Sequence, residues 1–180
     1  MFFEINELDL ASSFLEENKT RMKKSNRREL REKVLQVLYA YELNGEGLNT
    51  FTAGILSDVS SETDRNFVKQ LVDKVIANQK MLNDLIQQRV ENWEMERIAL
   101  IDRILLKIGI AEIFYFQDIP PKVSINEVIE IAKDYSTSNS GKFINGILDA
   151  ILSDLKKSGK LNKSGRGLIE ESFSPKFDED

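Results

Sequence analysis

Two groups of side chains in this sequence have the types and spacing to hold a polyanion. Arg27, Arg28 and Arg31 open a helical stretch that runs into Val34-Leu35-Gln36-Val37-Leu38-Tyr39. A helix N-terminus already offers unpaired N–H groups and the positive end of its dipole, so arginines there make a place for a phosphate. The same arginines repel that dipole, and this cost to helix stability hints at a functional reason. The second group is Gly141-Lys142-Phe143-Ile144-Asn145-Gly146-Ile147-Leu148-Asp149. Lys142 can reach a phosphate while Phe143 stacks on a base. Spacing alone favours plainer roles, with Phe143 at i and i+4 with Ile147 in a core and Lys142 in solvent. Tyr39, two turns beyond Arg31, can stack on RNA or flank the core with its hydroxyl exposed; its spacing alone points to the core.

Charge is unevenly placed. From Lys19 to Lys33 eight basic residues face two acidic ones, a window of +6 in a chain of net charge −5, which leaves −11 elsewhere. Such a dipolar chain orients a polyanion towards one end. A solvated basic linker is the alternative.

Catalysis is poorly served. Cysteine and histidine are both absent, so the usual nucleophile–base pairs, thiolate zinc sites and imidazole ligands are missing. Gly141-Lys142 lacks the earlier glycine, the following Ser/Thr and the preceding strand of a phosphate-binding loop. Asp102, Glu112 and Glu127 sit on helices facing away from the apolar stripes, either solvated or offered to a partner's arginine or backbone amide. No Asp/Glu group has metal-ligand spacing. The expectation is a protein without catalytic residues, metal or cofactor.

The elements that must position these groups are helices. One starts near Ser25 or Asn26, either of which can cap it, and stops at Gly45 and Gly47. Thr50–Leu56 reads as a short helix or turn. Ser61-Glu62-Thr63-Asp64 has capping-box spacing, and the stripe from Asp64 to Val90 weakens near Asn78-Gln79-Lys80, which predicts two helices. Trp93 lies in a polar connector. Met95 to Phe116 is apolar around most of its circumference and predicts the central buried helix. Gly109 within it suggests close approach by another helix, and Pro120-Pro121 ends it. Ser124-Ile125-Asn126-Glu127 again has capping-box spacing and would open a helix over Val128–Tyr135. Asn139 or Ser140 can cap a last helix that Gly159 ends. The expected architecture is all-α, a compact bundle of about seven helices. Residues 1–24 form an extension, 25–158 the helical domain, and 159–180 a disordered tail.

No apolar run approaches the roughly 18 residues of a membrane span. The acidic start lacks the basic and apolar regions of a secretory signal. Together with the missing cysteines this fits the cytoplasm.

Taken in order, Arg-Arg-x-x-Arg-Glu followed by Gln36-Val37-Leu38-Tyr39, then Pro120-Pro121-Lys122-Val123-Ser124-Ile125-Asn126-Glu127, then Lys142 to Asp149, resemble the NusB family of bacterial transcription antitermination factors from about Arg27 to Lys156. The resemblance implies an all-helical, non-enzymatic protein that binds the boxA element of leader RNA together with NusE, a small-subunit ribosomal protein. Such a complex joins RNA polymerase and other Nus factors and suppresses premature termination, especially on ribosomal RNA operons. By this resemblance Arg27, Arg28 and Arg31 match the RNA-contacting helix start, Tyr39 a tyrosine near the RNA surface, and Lys142 and Phe143 the later RNA-facing pair. Asp102 and Glu127 match acidic positions near the NusE and RNA edges. Glu29 stands where relatives often carry a third arginine. Asn139, placed at the same RNA edge as Lys142, stands where relatives often carry aspartate. The same fold also serves as the N-terminal RNA-binding domain of some ribosomal RNA cytosine methyltransferases. This chain has neither room for a Rossmann-like catalytic domain nor the cysteine of such enzymes. A helical scaffold that binds only protein is a third reading.

Overall fold

The computed structural model describes residues 27–90 and 97–168. The expected cap at Ser25 or Asn26, the extension 1–24, Trp93 and residues 169–180 lie outside them. Among the described residues there are seven α-helices and no strand.

Residues 27–44 form α1. Leu30, Val34, Leu35, Val37 and Leu38 are buried along one face. Gly45 closes the helix at φ 75°, donating its N–H to the Tyr41 carbonyl at 2.8 Å, a left-handed position that suits glycine. The short α2 (Leu48–Ile55) buries no residue. The Ser61 hydroxyl accepts from the Asp64 N–H at the start of α3 (Glu62–Ala77), as the capping spacing predicts. The chain breaks at Asn78 before α4 (Gln79–Gln87), where the apolar stripe weakens.

The core is organised around α5 (Leu100–Tyr115), in which every residue from Ile104 to Ile113 is buried. Helices α3, α4, α6 (Pro121–Tyr135) and α7 (Ser140–Lys157) all pack on it. Each fully buried Leu or Ile contributes roughly 1.5–3 kcal/mol relative to an exposed one, so α5 is the main source of cohesion. Gly109 is the close approach anticipated from the sequence. A Cβ there would lie 2.9 Å from Leu148 Cδ1 of α7 and 3.4 Å from Val128 Cγ2 of α6. Gly109→Val is therefore expected to cost about 1–3 kcal/mol by overpacking, and Gly109→Ala less, because the end of Leu148 can rotate away. Chemical denaturation of the two variants checks this; equal midpoints for Val and wild type would contradict it.

Three expectations are corrected. The central helix begins at Leu100 rather than Met95. Ala99 is extended (φ −51°, ψ 136°), and Ile98 continues the apolar pattern by burying itself from the connector. Ser124 does not open a helix. Pro121 does, at the first helical position, where its missing N–H is not needed and its fixed φ fits. Ser124 lies inside α6, fully buried. Finally, residues 160–168 are docked rather than loose. Lys163 Nζ donates to the Phe116 carbonyl at 2.8 Å and the Ser164 N–H to the Gln117 carbonyl at 3.0 Å. A 3-10 turn follows at Gly165–Leu168. This segment caps the exposed carbonyls at the end of α5, groups a helix terminus must satisfy somehow. Burial pushes Lys163 down to about 8, against the opposing charges of Glu112 and Asp118.

No helix among the described residues is long and apolar enough to cross a membrane.

Candidate nucleic-acid interface

The three arginines of α1 have three different fates. Arg27 is exposed, with its guanidinium 4.4 Å from the centre of the Phe67 ring of α3. Arg28 has a side chain 39% exposed. Its Nε and Nη2 both donate to Glu127 of α6 at 3.2 Å, and Glu130 lies 3.8 Å away. Burial opposes the Arg28 charge, but the hydrogen bond and charge of Glu127, with Glu130 and Asp134, hold its pKa above the usual value.

Arg31 is only 2% exposed, which corrects the expectation that all three arginines face solvent. It forms a two-pronged ion pair with Glu112 of α5, Nε to Oε2 at 2.8 Å and Nη2 to Oε1 at 2.6 Å. Its remaining nitrogen donates to the Arg27 carbonyl at 3.0 Å and lies 3.7 Å from Glu127. Glu112 also accepts from the Ser124 hydroxyl at 2.7 Å. Burial opposes the charge on Arg31, and Glu112 and Glu127 outweigh it, so the guanidinium stays ionised. The sequence does carry a signal for this: Arg31 lies three and four residues before Val34 and Leu35, within the buried stripe. Glu112, placed on a solvated face by the sequence reading, lies within the buried run of α5 for the same reason.

The far end of the surface is the turn between α6 and α7. Asp102, in the first turn of α5, is buried and accepts from the Ser136 hydroxyl at 2.6 Å and the Ser140 hydroxyl at 2.8 Å. Thr137 closes the turn, its N–H donating to Ser140 Oγ at 3.2 Å. Asp102 thus holds the turn from within and does not present a solvated carboxylate to a partner, contrary to expectation. Glu127 is likewise occupied within the chain. Asn139 is exposed and makes no side-chain cap, so its expected capping role is not observed. Lys142 is exposed on the first turns of α7, whereas Phe143 packs against the core, the plainer role that its spacing favours.

One contact joins the two ends. The Tyr135 hydroxyl, at the end of α6, donates to Glu32 of α1 at 3.3 Å. Burial and the charge of Glu32 raise its pKa, which keeps the donor protonated. Tyr39 lies about two turns beyond Glu32, and both tyrosines are 39% exposed. Exposed groups thus run along α1 from Arg27 and Arg28 to Tyr39, with Tyr135 of α6 held against Glu32, and Asn139 and Lys142 are exposed where the chain turns from α6 into α7. Cations and flat aromatic faces are the groups that hold phosphates and stack on unpaired bases. Among the described residues no cluster of three or more His, Cys, Asp or Glu could hold a metal.

The NusB family profile matches residues 28–153. A protein of Chloroherpeton thalassium named transcription antitermination protein NusB is 46% identical over 147 residues, 81% of this chain and 70% of its own length. One of the same name from Salinibacter ruber is 43% identical over 81% of this chain and 92% of its own length. Among solved structures, NusB of T. maritima superposes with a TM-score of 0.69 at 35% identity, covering 75% of this chain and 97% of that one. A structure of NusB and NusE in complex with double-stranded RNA shares the fold, with a TM-score of 0.66 at 23% identity over 72% of this chain and 98% of that one. The helices, their order and the sequence match agree: this chain belongs to the NusB family, a non-enzymatic family of transcription antitermination proteins.

Proposed function

We propose that this protein binds boxA-type leader RNA jointly with the ribosomal protein NusE. In that complex it supports antitermination by RNA polymerase on ribosomal RNA operons, in the cytoplasm. The observation that carries this reading is the edge on which exposed Arg27, part-exposed Arg28, Tyr39 and Lys142 are held by a buried polar framework. Arg27, Arg28 and Lys142 contact phosphates, and Tyr39 offers a stacking face. Arg31, Glu112, Glu127 and Asp102 position them; Phe143 anchors the start of α7. A relative of this fold has been solved with NusE and RNA together, which supports a joint surface here.

The test is titration of labelled boxA RNA over a salt series, with and without NusE. Affinity should rise when NusE is added, because a joint surface makes more contacts. Arg27→Ala, Arg28→Ala and Lys142→Ala should each lower the log–log salt slope by about one. For Arg27→Ala, folding should stay within about 0.5 kcal/mol of wild type. An unchanged slope in all three would overturn the reading.

Asn139 tunes the same edge. An aspartate there favours the α7 dipole but repels nearby phosphate. Asn139→Asp is expected to weaken RNA binding by about 1 kcal/mol or less at a solvent-screened site, with thermal stability equal or slightly raised. Equal or tighter binding at low salt would remove residue 139 from the phosphate path.

A further inference from the structure

The face of α3 turned away from Phe67 carries a second surface. Side chains advance about 100° per residue round a helix, so Arg65 and Lys69 lie roughly 160° from Phe67. They border a groove of about 420 Å³ between α2 and α3, floored by Leu48, Leu56 and Val72. Leu56 and Val72 are buried, whereas Leu48 packs on the core only in part. Helix α2 holds Leu48, Phe51 and Ile55 yet buries none of them fully, so part of its apolar face stays open. Arg65 is fixed by its Nε, which donates to the Val59 carbonyl. Among the described residues no ion pair engages Arg65 or the exposed Lys69. Asp73, also exposed, borders the groove one turn beyond Lys69. The α3 wall therefore presents two cations and then an anion, each about 6 Å along the helix from the next.

We propose that this groove docks an amphipathic helix of a partner protein, with aliphatic side chains on the apolar floor and acidic residues, one turn apart, facing Arg65 and Lys69. A helix matches the spacing of the α3 wall because its own side chains repeat at i and i+4, and laying an apolar helical face into a groove is a recurring mode of recognition. Exposed ion pairs are individually weak. The apolar floor therefore supplies the affinity, and the charges set the orientation and the choice of partner. A nucleic acid fits less well, since Asp73 would face its phosphates and the floor offers them no hydrogen bond. The groove lies on the far side of α3 from Arg27 and Phe67, so the inference does not rest on the RNA reading above.

The test uses the isotope-labelled full chain and two synthetic peptides of about 15 residues, long enough to form a helix. Both carry the same leucine face; one has glutamates and the other lysines at two positions one turn apart. The glutamate peptide should shift the amide signals of residues 48–57 and 65–73. It should bind more tightly than the lysine peptide at low salt, with the difference shrinking as salt rises. Charge changes on α3 should act in opposite directions. Lys69→Glu should weaken the glutamate peptide roughly twofold to fivefold, and Asp73→Lys should strengthen it by a similar factor. A variant that merely damaged the fold would not bind more tightly. Labelled boxA RNA should leave residues 65–73 unshifted. Absence of any RNA binding would sink the RNA reading and leave this inference standing. No shifts in the groove, equal binding of the two peptides at low salt, a response of the same sign in both variants, or RNA shifting these amides would each overturn it.

Discussion

Arg31→Ala is expected to destabilise the protein by about 3–5 kcal/mol, the cost of leaving one member of a buried ion pair uncompensated. Glu112 is 1% exposed, and without Arg31 it keeps only the Ser124 hydroxyl as a close donor among its observed side-chain partners. It must then be buried as an unpaired anion or take up a proton, and either costs free energy. The pair itself need not be strongly favourable. Replacing both members, as in Arg31→Met with Glu112→Leu, should recover most of the loss, because well-packed apolar groups avoid the desolvation of two charges. Arg28→Ala makes the contrast: its pair with Glu127 is part-exposed, and such pairs contribute about 0–1 kcal/mol. Urea midpoints at constant slope distinguish the cases. A loss below about 1 kcal/mol for Arg31→Ala would mean that the guanidinium is not buried in solution. RNA binding offers a second check. Under conditions where Arg31→Ala remains folded, its salt slope should equal that of wild type, since no counterion is released by a residue that touches no phosphate.

The second large effect is expected at Asp102. Asp102→Ala removes the acceptor shared by the Ser136 and Ser140 hydroxyls; Ser140 keeps the Thr137 and Ser136 hydroxyls at 2.8 and 3.0 Å, so the loss should fall in the lower part of the about 1–3 kcal/mol that an unsatisfied buried polar group costs. The consequence reaches function because these hydroxyls hold the turn carrying Asn139 and leading to Lys142. A loosened turn must be ordered again on binding, at roughly 0.5–1.5 kcal/mol per immobilised side chain. On the RNA reading proposed above, affinity should therefore fall although Asp102 itself is buried. Asp102→Asn, which retains one carboxamide oxygen as acceptor, should lie between the two. Amide exchange over residues 136–142 should accelerate in Asp102→Ala. Unchanged exchange alongside weakened binding would assign Asp102 to a partner contact after all.

Much of this molecule follows from local rules. The break at Asn78, the Ser61 cap, the end of α1 at Gly45 and the tight packing at Gly109 each depend on residues within a turn or two, and periodicity or backbone preference is enough to place them. The exposure of Arg27 and Lys142 is legible in the same way, as polar positions beside apolar stripes, whereas Tyr39, which its spacing alone places in the core, is 39% exposed. Capping spacing at Ser124 misleads because a proline three residues earlier starts the helix with less strain, and a serine inside a helix can serve a distant carboxylate. Tertiary structure alone decided which charges are surface and which are framework. Arg31 meets Glu112 across 81 residues, and Asp102 meets Ser136 and Ser140 across 34 and 38. A helical stripe shows which residues turn inward but not which element receives them. An ionised side chain turned inward is tolerated only when the fold delivers its partner. The docking of residues 160–168 is non-local for the same reason: a polar, glycine-bearing stretch reads as a loose tail until the carbonyl groups at the end of α5 are placed beside it.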